Sequence, residues 1–422
     1  MSKLTRYKLS DLYEMSSGIS STKEQAGHGD PFVSFSTVFN NFFLPEELPD
    51  LMDTSSKEQE TFSVKKDDVF ITRTSETVDA LAMSCVAVKD YPKATFSGFV
   101  KRLRPKKEGI VYSRYIAFFL RSKYFRKVLD CNTIMTLRAS FNEDIFSFLY
   151  LYLPNYEEQV RIGDFLYKIE MKIRKNNKIN DNLEQQILSI YHYLFTQFDF
   201  PDEVGNPYCS SGGKMMQNDI LKRNIPITWK VKTLGELCSF QNGINYDKGI
   251  IGDKDYRIIN VRNISSSSIL LDENELDIIS LPHKKGDKYC VTDDSIIIAR
   301  SGIPGATRIL FKPTTNTIFC GFIICCTPTD KELQYYLTFY LKLLEGSSAT
   351  QTGGSILQNV SQDTLSSLPV PIPPKMLLDE FNQTVLQTFE LIHTNMNETS
   401  QLINLRDWLL PMLMNGQATI ND

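Results

Sequence analysis

The sequence has few of the residue patterns that mark secreted, membrane-bound or metal-binding proteins. Its eight cysteines are scattered without a CxxC pair, and its four histidines show neither HxxxH nor HExxH spacing. No zinc site or redox motif is therefore predicted. No run of about 18 apolar residues occurs, and the opening MSKLTRYKLSD contains no apolar stretch of the kind a signal peptide needs. We expect a cytoplasmic protein with reduced thiols, no metal ion and no membrane span.

The chain also lacks the motifs of enzymes that act on nucleotides. Around Gly213 and Lys214, a P-loop would need glycine in place of Tyr208 and a hydroxyl residue in place of Met215. A methyltransferase acting on an amino group would need asparagine or aspartate before a Pro-Pro pair, but that pair occurs here only in IPPK at 372–375. We therefore expect that the chain is not an enzyme and binds no cofactor itself.

The overall composition is typical of a folded protein. The 422 residues are 42% hydrophobic and 23% charged, which excludes disorder for most of the length and suggests roughly two to four domains. The net charge of −4 argues mildly against nucleic-acid binding, but segment 101–127 carries ten basic residues and one acidic residue. Its cations, among them Lys101, Arg102 and Arg104, are candidate phosphate contacts. The aromatic residues between them favour the core face of a helix, with a nucleic-acid surface as the alternative.

An internal duplication is the most informative feature of the sequence. Four residues recur at a constant offset of 225, namely Leu9, Leu12, Gly18 and Ile19 at Leu234, Leu237, Gly243 and Ile244. VKKDDVFITR at 64–73 then overlays VTDDSIIIAR at 291–300, and TFSGF at 95–99 overlays IFCGF at 318–322. Each half combines short apolar runs, which suggest strands, with one helix and a following long helix. The sequence predicts a mixed α/β fold with two similar globular domains.

A heptad pattern after each half predicts a pair of long helices, the first of which Asn155 is suited to cap. The first seam comprises Ile162, Leu166, Ile169, Ile173, Asn176, Asn180, Leu183, Ile187, Ile190 and Leu194. The second comprises Phe381, Val385, Thr388, Ile392, Asn395, Thr399, Leu402, Arg406, Leu409 and Leu413. We predict that the two helices pair as an antiparallel coiled coil with their polar middles facing each other. The alternative is that each helix packs only on its own domain.

These patterns divide the chain into five parts. The two globular domains are predicted at 1–153 and 229–372, and the long helices at 154–198 and 373–417. Proline and glycine interrupt both periodicities between the halves, so 199–228 is predicted to be a linker.

Four segments carry a resemblance to a known family. They are LPNYEEQVRIGDFL at 153–166, WKVKTLGEL at 229–237, IIIARSG at 296–302 and INLRDWLLPMLMNGQ at 403–417. With them the chain resembles, over nearly its whole length, the DNA specificity subunits of type I restriction-modification systems. The last segment is the most specific of the four.

The resemblance implies a function and a set of partners. Each globular domain would be a target recognition domain that reads one half of a bipartite, asymmetric site in double-stranded DNA. The two helices would hold the domains apart and dock two methyltransferase subunits, which restriction and translocase subunits join. S-adenosylmethionine, ATP and magnesium would be bound by those partner subunits and not by this chain.

Candidate DNA contacts follow the two matched strands, each of which ends in an arginine. Arginine binds guanine O6 and N7 together or anchors a phosphate. A polar, glycine-rich loop at 351–354 is a further candidate. The predicted contacts are Arg73, Thr74, Ser75, Lys101, Arg102, Arg104, Arg300, Ser301, Gly302, Gln351 and Thr352. The alternatives are that the two strand-end arginines form structural ion pairs and that the loop is ordinary surface.

Two other functions stay open at the level of the sequence. The chain would be a coiled-coil scaffold if its globular domains bound only proteins. It would be a nuclease or methyltransferase if it carried a catalytic site without a recognisable motif.

Overall fold

The computed structural model describes residues 4–75, 81–132, 139–246, 252–265, 268–314, 316–345 and 360–420. These residues form two compact units. One contains Met1–Arg174 and Gln401–Asp422, and the other contains Lys175–Ser400. None of the helices within the described ranges is long and apolar enough to cross a bilayer.

In its described residues, the first unit has eleven strands and six short α-helices. The strands are β1 (Thr5–Lys8), β2 (Tyr13–Ser17), β3 (Ala26–Val33), β4 (Asp50–Met52), β5 (Val69–Thr72), β6 (Thr74–Ser75), β7 (Ser84–Val86), β8 (Thr95–Phe96), β9 (Val100–Pro105), β10 (Ala139–Ser140) and β11 (Tyr150–Leu153). The helices are α1 (Leu9–Leu12), α2 (Phe35–Asn40), α3 (Ser56–Thr61), α4 (Ser113–Phe119), α5 (Lys123–Asn132) and α6 (Glu143–Phe148). The long helix α7 (Tyr156–Tyr191) begins in this unit.

The second unit repeats this plan after a hairpin. The strands are β12 (Met215–Asn218), β13 (Arg223–Pro226), β14 (Lys230–Thr233), β15 (Cys238–Asn242), β16 (Lys254–Ile259), β17 (Asp277–Leu281), β18 (Ile296–Ala299), β19 (Thr307–Ile309), β20 (Thr317–Phe319), β21 (Ile323–Pro328) and β22 (Pro369–Ile372). The helices are α8 (Leu234–Leu237), α9 (Val261–Ile264), α10 (His283–Gly286), α11 (Gln334–Leu343) and α12 (Gln362–Ser366). The long helix α13 (Lys375–Met414) begins in this unit, and its residues from Gln401 onward belong to the first unit.

The strand order confirms the predicted mixed α/β fold and its duplication. The four-stranded sheet β2-β9-β5-β7 of the first unit corresponds to β15-β21-β18-β19 of the second. The three-stranded sheet β4-β3-β8 corresponds to β17-β16-β20, with β3–β8 and β16–β20 as the parallel pair in each. The antiparallel pair β1–β11 corresponds to β14–β22.

The apolar runs of the sequence are the inner strands of the four-stranded sheets. Every residue of β5 and of β18 is buried. Val69 and Ile71 pack with α4, whereas Phe70 packs with residues of the three-stranded sheet. Alternate side chains of one strand therefore enter two different cores. This is why the run is continuously apolar and does not alternate with polar residues.

Helix α7 begins where the sequence predicts it. The side chain of Asn155 accepts a hydrogen bond from the backbone N–H of Glu158 at 2.9 Å, as an N-cap residue does. The predicted seam is buried or half-buried as far as Ile187, but the prediction for Ile190 is wrong: it is 37% exposed, and Tyr191 is buried instead. A straight α-helix drifts by about 20° per heptad relative to a 3.5-residue repeat, so the buried stripe moves by one position.

The predicted linker contains regular structure. Strands β12 and β13 pair as an antiparallel hairpin. In its turn, the Asn218 side chain accepts hydrogen bonds from the backbone N–H groups of Ile220 and Leu221 at 3.1 and 3.0 Å. Lys222 then adopts a φ of +54°. Proline and glycine predicted the break in the heptad pattern but not this short local pairing.

Candidate nucleic-acid interface

Arg73 stands at the end of the inner strand β5 and is exposed. Its backbone N–H donates to Phe99 O at 2.9 Å, and its carbonyl accepts from the N–H of Phe141 at 2.8 Å. Its guanidinium Nη1 donates to Gly98 O at 3.5 Å. The backbone of Arg73 is thus fixed on both sides, while four of the five guanidinium N–H donors make no hydrogen bond to the described residues.

Arg300 has the same contacts at the end of β18. Its N–H donates to Phe322 O at 2.9 Å, and its carbonyl accepts from Val360 N–H at 2.8 Å. Its Nη1 donates to Gly321 O at 3.3 Å. We call Arg73, Gly98 and Phe99 the first corner, and Arg300, Gly321 and Phe322 the second corner.

Within the part of the chain that the structure describes, neither Arg73 nor Arg300 forms the ion pair that the sequence left as an alternative. Among the described residues, no carboxylate lies within salt-bridge distance of Arg73 or Arg300. Arginines with backbone acceptors alone keep their positive charge available to an anionic ligand such as a phosphate.

Next to each corner, a glycine allows two backbone segments to lie very close together. A Cβ on Gly18 would lie 2.3 Å from Phe96 O, and a Cβ on Gly243 would lie 2.1 Å from Cys320 O. Both distances are far below van der Waals contact, so the close approach of the two backbone segments requires glycine at both positions.

The residue after each of these glycines completes the closure. Ile19 O accepts the N–H of Gly98 at 2.7 Å, and Ile244 O accepts that of Gly321 at 2.8 Å. The backbone of both corners is therefore held from the same side and in the same way.

Each corner presents a phenylalanine that the sequence reasoning did not select. Phe99 is 66% exposed and Phe322 is 62% exposed. The next residues, Val100 and Ile323, are buried. The recurrence of this phenylalanine was visible in the overlay of TFSGF on IFCGF, but its exposure was not.

The residues that follow the two arginines differ. Thr74 and Ser75 form β6, which pairs with β10. Ser301 and Gly302 lie in a bend after β18, where Gly302 has a φ of +81° and its Cβ would be 2.8 Å from Val261 Cγ1. The two corners therefore share their hydrogen bonds but differ in the conformation of the residues that follow the arginine. The remaining predicted loop residues, Gln351 and Thr352, lie outside the described residues.

Lys101 and Arg102 have partners inside their domain. Both are buried in β9. Lys101 Nζ donates to Ser17 Oγ at 2.8 Å, and Arg102 Nη1 donates to Ser63 O at 2.6 Å. Burial lowers the pKa of Arg102. These contacts account for both cations without DNA, and a DNA contact by either residue stays a prediction.

Arg104 is the partner of a buried carboxylate. Its Nε donates to Asp68 Oδ1 at 2.7 Å and its Nη2 to Asp68 Oδ2 at 2.6 Å. The hydrogen bonds to Asp68 raise the pKa of Arg104. Farther along the same basic segment, Arg121 donates to the carbonyls of Ser84, Val38, Phe39 and Asn41. Several of the basic side chains of segment 101–127 therefore form hydrogen bonds or ion pairs within their own domain.

Comparison with known proteins identifies the family. A family model described as Type I restriction modification DNA specificity domain matches residues 1–185 and 226–404. The type I restriction enzyme MjaIX specificity subunit of Methanocaldococcus jannaschii is 24% identical over 345 residues, which are 80% of this chain and 76% of that protein. The type I restriction enzyme HindI specificity subunit of Haemophilus influenzae is 21% identical over 445 residues, covering 92% of this chain and 94% of that protein.

A solved structure shares the fold. The crystal structure of the type I restriction-modification system S subunit from M. genitalium superposes with a TM-score of 0.59 at 14% identity, covering 98% of this chain and 96% of that chain. The two stretches matched by the family model include the two corners and cover most of the chain. The chain therefore belongs to the family of DNA specificity subunits of type I restriction-modification systems.

Proposed function

We propose that this chain is the non-catalytic DNA-recognition subunit of a type I restriction-modification complex. Each domain reads one half of a bipartite, asymmetric site in double-stranded DNA. The observation that carries the proposal is the repetition of one corner in both domains, with the same hydrogen bonds around Arg73 and Arg300. The different flanks of the two corners give each domain its own base preference, because base edges are read by the side chains nearest to them.

The long helices form the spacer between the two domains in this proposal, as an antiparallel coiled coil. Asn176 Nδ2 donates to Glu398 Oε2 at 2.8 Å and lies 3.4 Å from Thr399 Oγ1. Asn395 Nδ2 donates to Asn180 Oδ1 at 2.9 Å. Residue numbers rise along α7 as they fall along α13, which is the order of an antiparallel pair. Polar pairs at the seam fix the register of such helices.

The helices also offer surface for the partners. Helix α13 exposes large apolar side chains at Met376, Leu391, Leu405 and Trp408. Exposed apolar residues on long helices are suited to protein interfaces. In the proposal two methyltransferase subunits dock along α7 and α13, and restriction and translocase subunits join through them. S-adenosylmethionine, ATP and magnesium are bound by those partners, in the cytoplasm.

The test is to map methylated adenines in DNA from cells that express the chain with its methyltransferase. The expected result is one sequence with two specified halves and an unread gap. Arg73→Ala and Arg300→Ala should each weaken methylation by about 5- to 150-fold, since a specific arginine contact contributes about 1–3 kcal/mol. The matched controls Arg6→Ala and Lys230→Ala, in the corresponding strands β1 and β14, should retain the wild-type pattern.

The same experiment separates the alternatives. A scaffold without DNA readout would leave the methylation pattern unchanged when the chain is removed. A standalone enzyme would methylate or cleave DNA as the purified chain, without its partners. Either result would contradict the proposal.

A further inference from the structure

Two exposed phenylalanine rings stand on fixed backbone at equivalent places. The carbonyl of Phe99 accepts from Arg73 N–H, and that of Phe322 accepts from Arg300 N–H, both at 2.9 Å. The glycine before each ring is held as well, by Ile19 O or by Ile244 O. The rings are thus exposed on segments whose backbone conformation is set on both sides.

Packing within the domain does not explain these rings. Phe99 is 66% exposed and Phe322 is 62% exposed, so little of either ring is buried against its own domain. An exposed phenylalanine costs solvation, and one such residue by itself has no meaning. Here the same residue recurs after the same glycine in both halves. In both halves the carbonyl of this phenylalanine also accepts the backbone N–H of the strand-end arginine. This repetition points to a shared ligand.

The chemistry of the corner indicates what the ring contacts. The guanidinium of each arginine donates to the carbonyl of the glycine that precedes the ring, so cation and ring are neighbours. The cation is suited to phosphate oxygens or a guanine edge. A phenyl ring has no hydrogen-bonding group and gains nothing from phosphate. Its partners in DNA are the faces of bases and the methyl group of thymine.

We propose that Phe99 and Phe322 are specificity-determining residues, each in apolar contact with a base in the half-site of its own domain. This inference rests on the proposed function. The arginine of each corner anchors the DNA, and the ring beside it contacts the bases. Because the backbone is already fixed, little conformational entropy is lost when the ring is placed against a base.

The test measures DNA binding by the complex of this chain with its methyltransferase subunits. The probes are four duplexes: the methylated site identified in cells, that site with one half scrambled, that site with the other half scrambled, and unrelated DNA. Phe99→Ala should lower affinity for the intact site about 10-fold, as loss of a base–aromatic contact does. It should bind the duplex with its own half scrambled as the wild type does. Phe322→Ala should behave in the same way with the opposite half.

The matched controls are Phe148→Ala and Ile278→Ala, which remove exposed apolar side chains outside the corners, 70% and 67% exposed respectively. Both should bind all four duplexes as the wild type does. All variants should keep the wild-type melting temperature, because an exposed side chain contributes little to folding.

Two results would overturn the inference. In the first, Phe99→Ala and Phe322→Ala bind the intact site with wild-type affinity. In the second, they lose affinity equally for all four duplexes, including unrelated DNA. If instead the wild-type complex does not distinguish the intact site from unrelated DNA, the proposed function itself fails.

Discussion

At the scale of single residues, Asp68 and Arg104 illustrate how a basic segment can be structural. Asp68 is 0% exposed, and both of its carboxylate oxygens accept from Arg104. A buried carboxylate without a partner is strongly destabilising. The arginine therefore stabilises the domain by matching a charge that lies 36 residues earlier in the sequence.

Replacing Arg104 should lower the stability of the first domain. Arg104→Met leaves the buried Asp68 without its salt-bridge partner, although the backbone N–H of Lys65 still donates to Oδ2, so we expect a loss of about 3 kcal/mol in the free energy of unfolding. Hydrogen–deuterium exchange of peptides that cover β5 and β9 measures this loss locally. The double variant Asp68→Asn/Arg104→Met should recover part of it, because the buried charge is then removed as well. If Arg104 contacts DNA instead, Arg104→Met will keep its protection from exchange and lose DNA affinity.

At the scale of elements, the duplicated strands and long helices were predictable from the sequence because their causes are local. Continuous apolar runs and a Pro-Asn-x-x-Glu start determine where β5, β18 and α7 begin. The internal cations were not predictable, because the partner of Lys101 is Ser17, far away in the sequence.

The candidate site was predictable only in part. Arg73 and Arg300 could be selected because they recur at the ends of matched strands. The exposure of Phe99 and Phe322 could not be predicted from the sequence. It depends on the hydrogen bonds from Gly98 to Ile19 and from Gly321 to Ile244, which join residues that are far apart in the sequence.

Glu184 attaches α7 to the second domain and should make stability depend on pH. Its carboxylate accepts from the Ser268 hydroxyl and from the N–H of Ile269. Burial raises its pKa above the usual 4.5, only partly offset by these hydrogen bonds. A carboxyl with a raised pKa binds protons more readily in the folded state. Glu184 therefore favours the folded state most at low pH, and this contribution is lost as the pH rises through the pKa that Glu184 has in the folded state.

Glu184→Gln should therefore stabilise the protein at about pH 7.5 relative to the wild type, and the gain should shrink toward about pH 5. Gln keeps an oxygen acceptor for Ile269 but carries no charge to bury. Melting temperatures across this range measure the effect, with Asp181→Asn, an exposed carboxylate of the same helix, as the control. A wild-type advantage that grows with pH would contradict this account of Glu184.

At the scale of the whole molecule, the proposed spacer predicts the gap in the DNA site. The seam contacts place residue 176 opposite 399 and residue 180 opposite 395. Deleting 173–179 together with the facing heptad 396–402 should keep the register and shorten the helices by about 10 Å. Since one base pair of duplex DNA is about 3.4 Å long, the unread gap should shorten by about three base pairs. Mapping of methylated adenines measures the gap directly.

A deletion in one helix provides the control for this experiment. Removing only 173–179 shifts Asn180 away from Asn395 and pairs mismatched residues along the rest of the seam. This variant should lose helix content and methylation together. If the double deletion remains folded and methylates the original gap at full rate, the helices do not set the spacing.

The strand pairs β1–β11 and β14–β22, which join the two ends of each domain, determine how a domain could be exchanged by recombination. Thr5 pairs with Leu153, and Lys230 pairs with Ile372. Cα atoms paired across antiparallel strands lie about 5 Å apart. Each domain therefore leaves the chain and returns to it at nearly the same point. A crossover between two related genes at the codons of these strands replaces a whole domain and leaves the start of the following helix in place. If each domain reads one half-site, as we propose, such a recombination would generate a new combination of half-sites in a single event, without a series of point substitutions that would each have to preserve the fold.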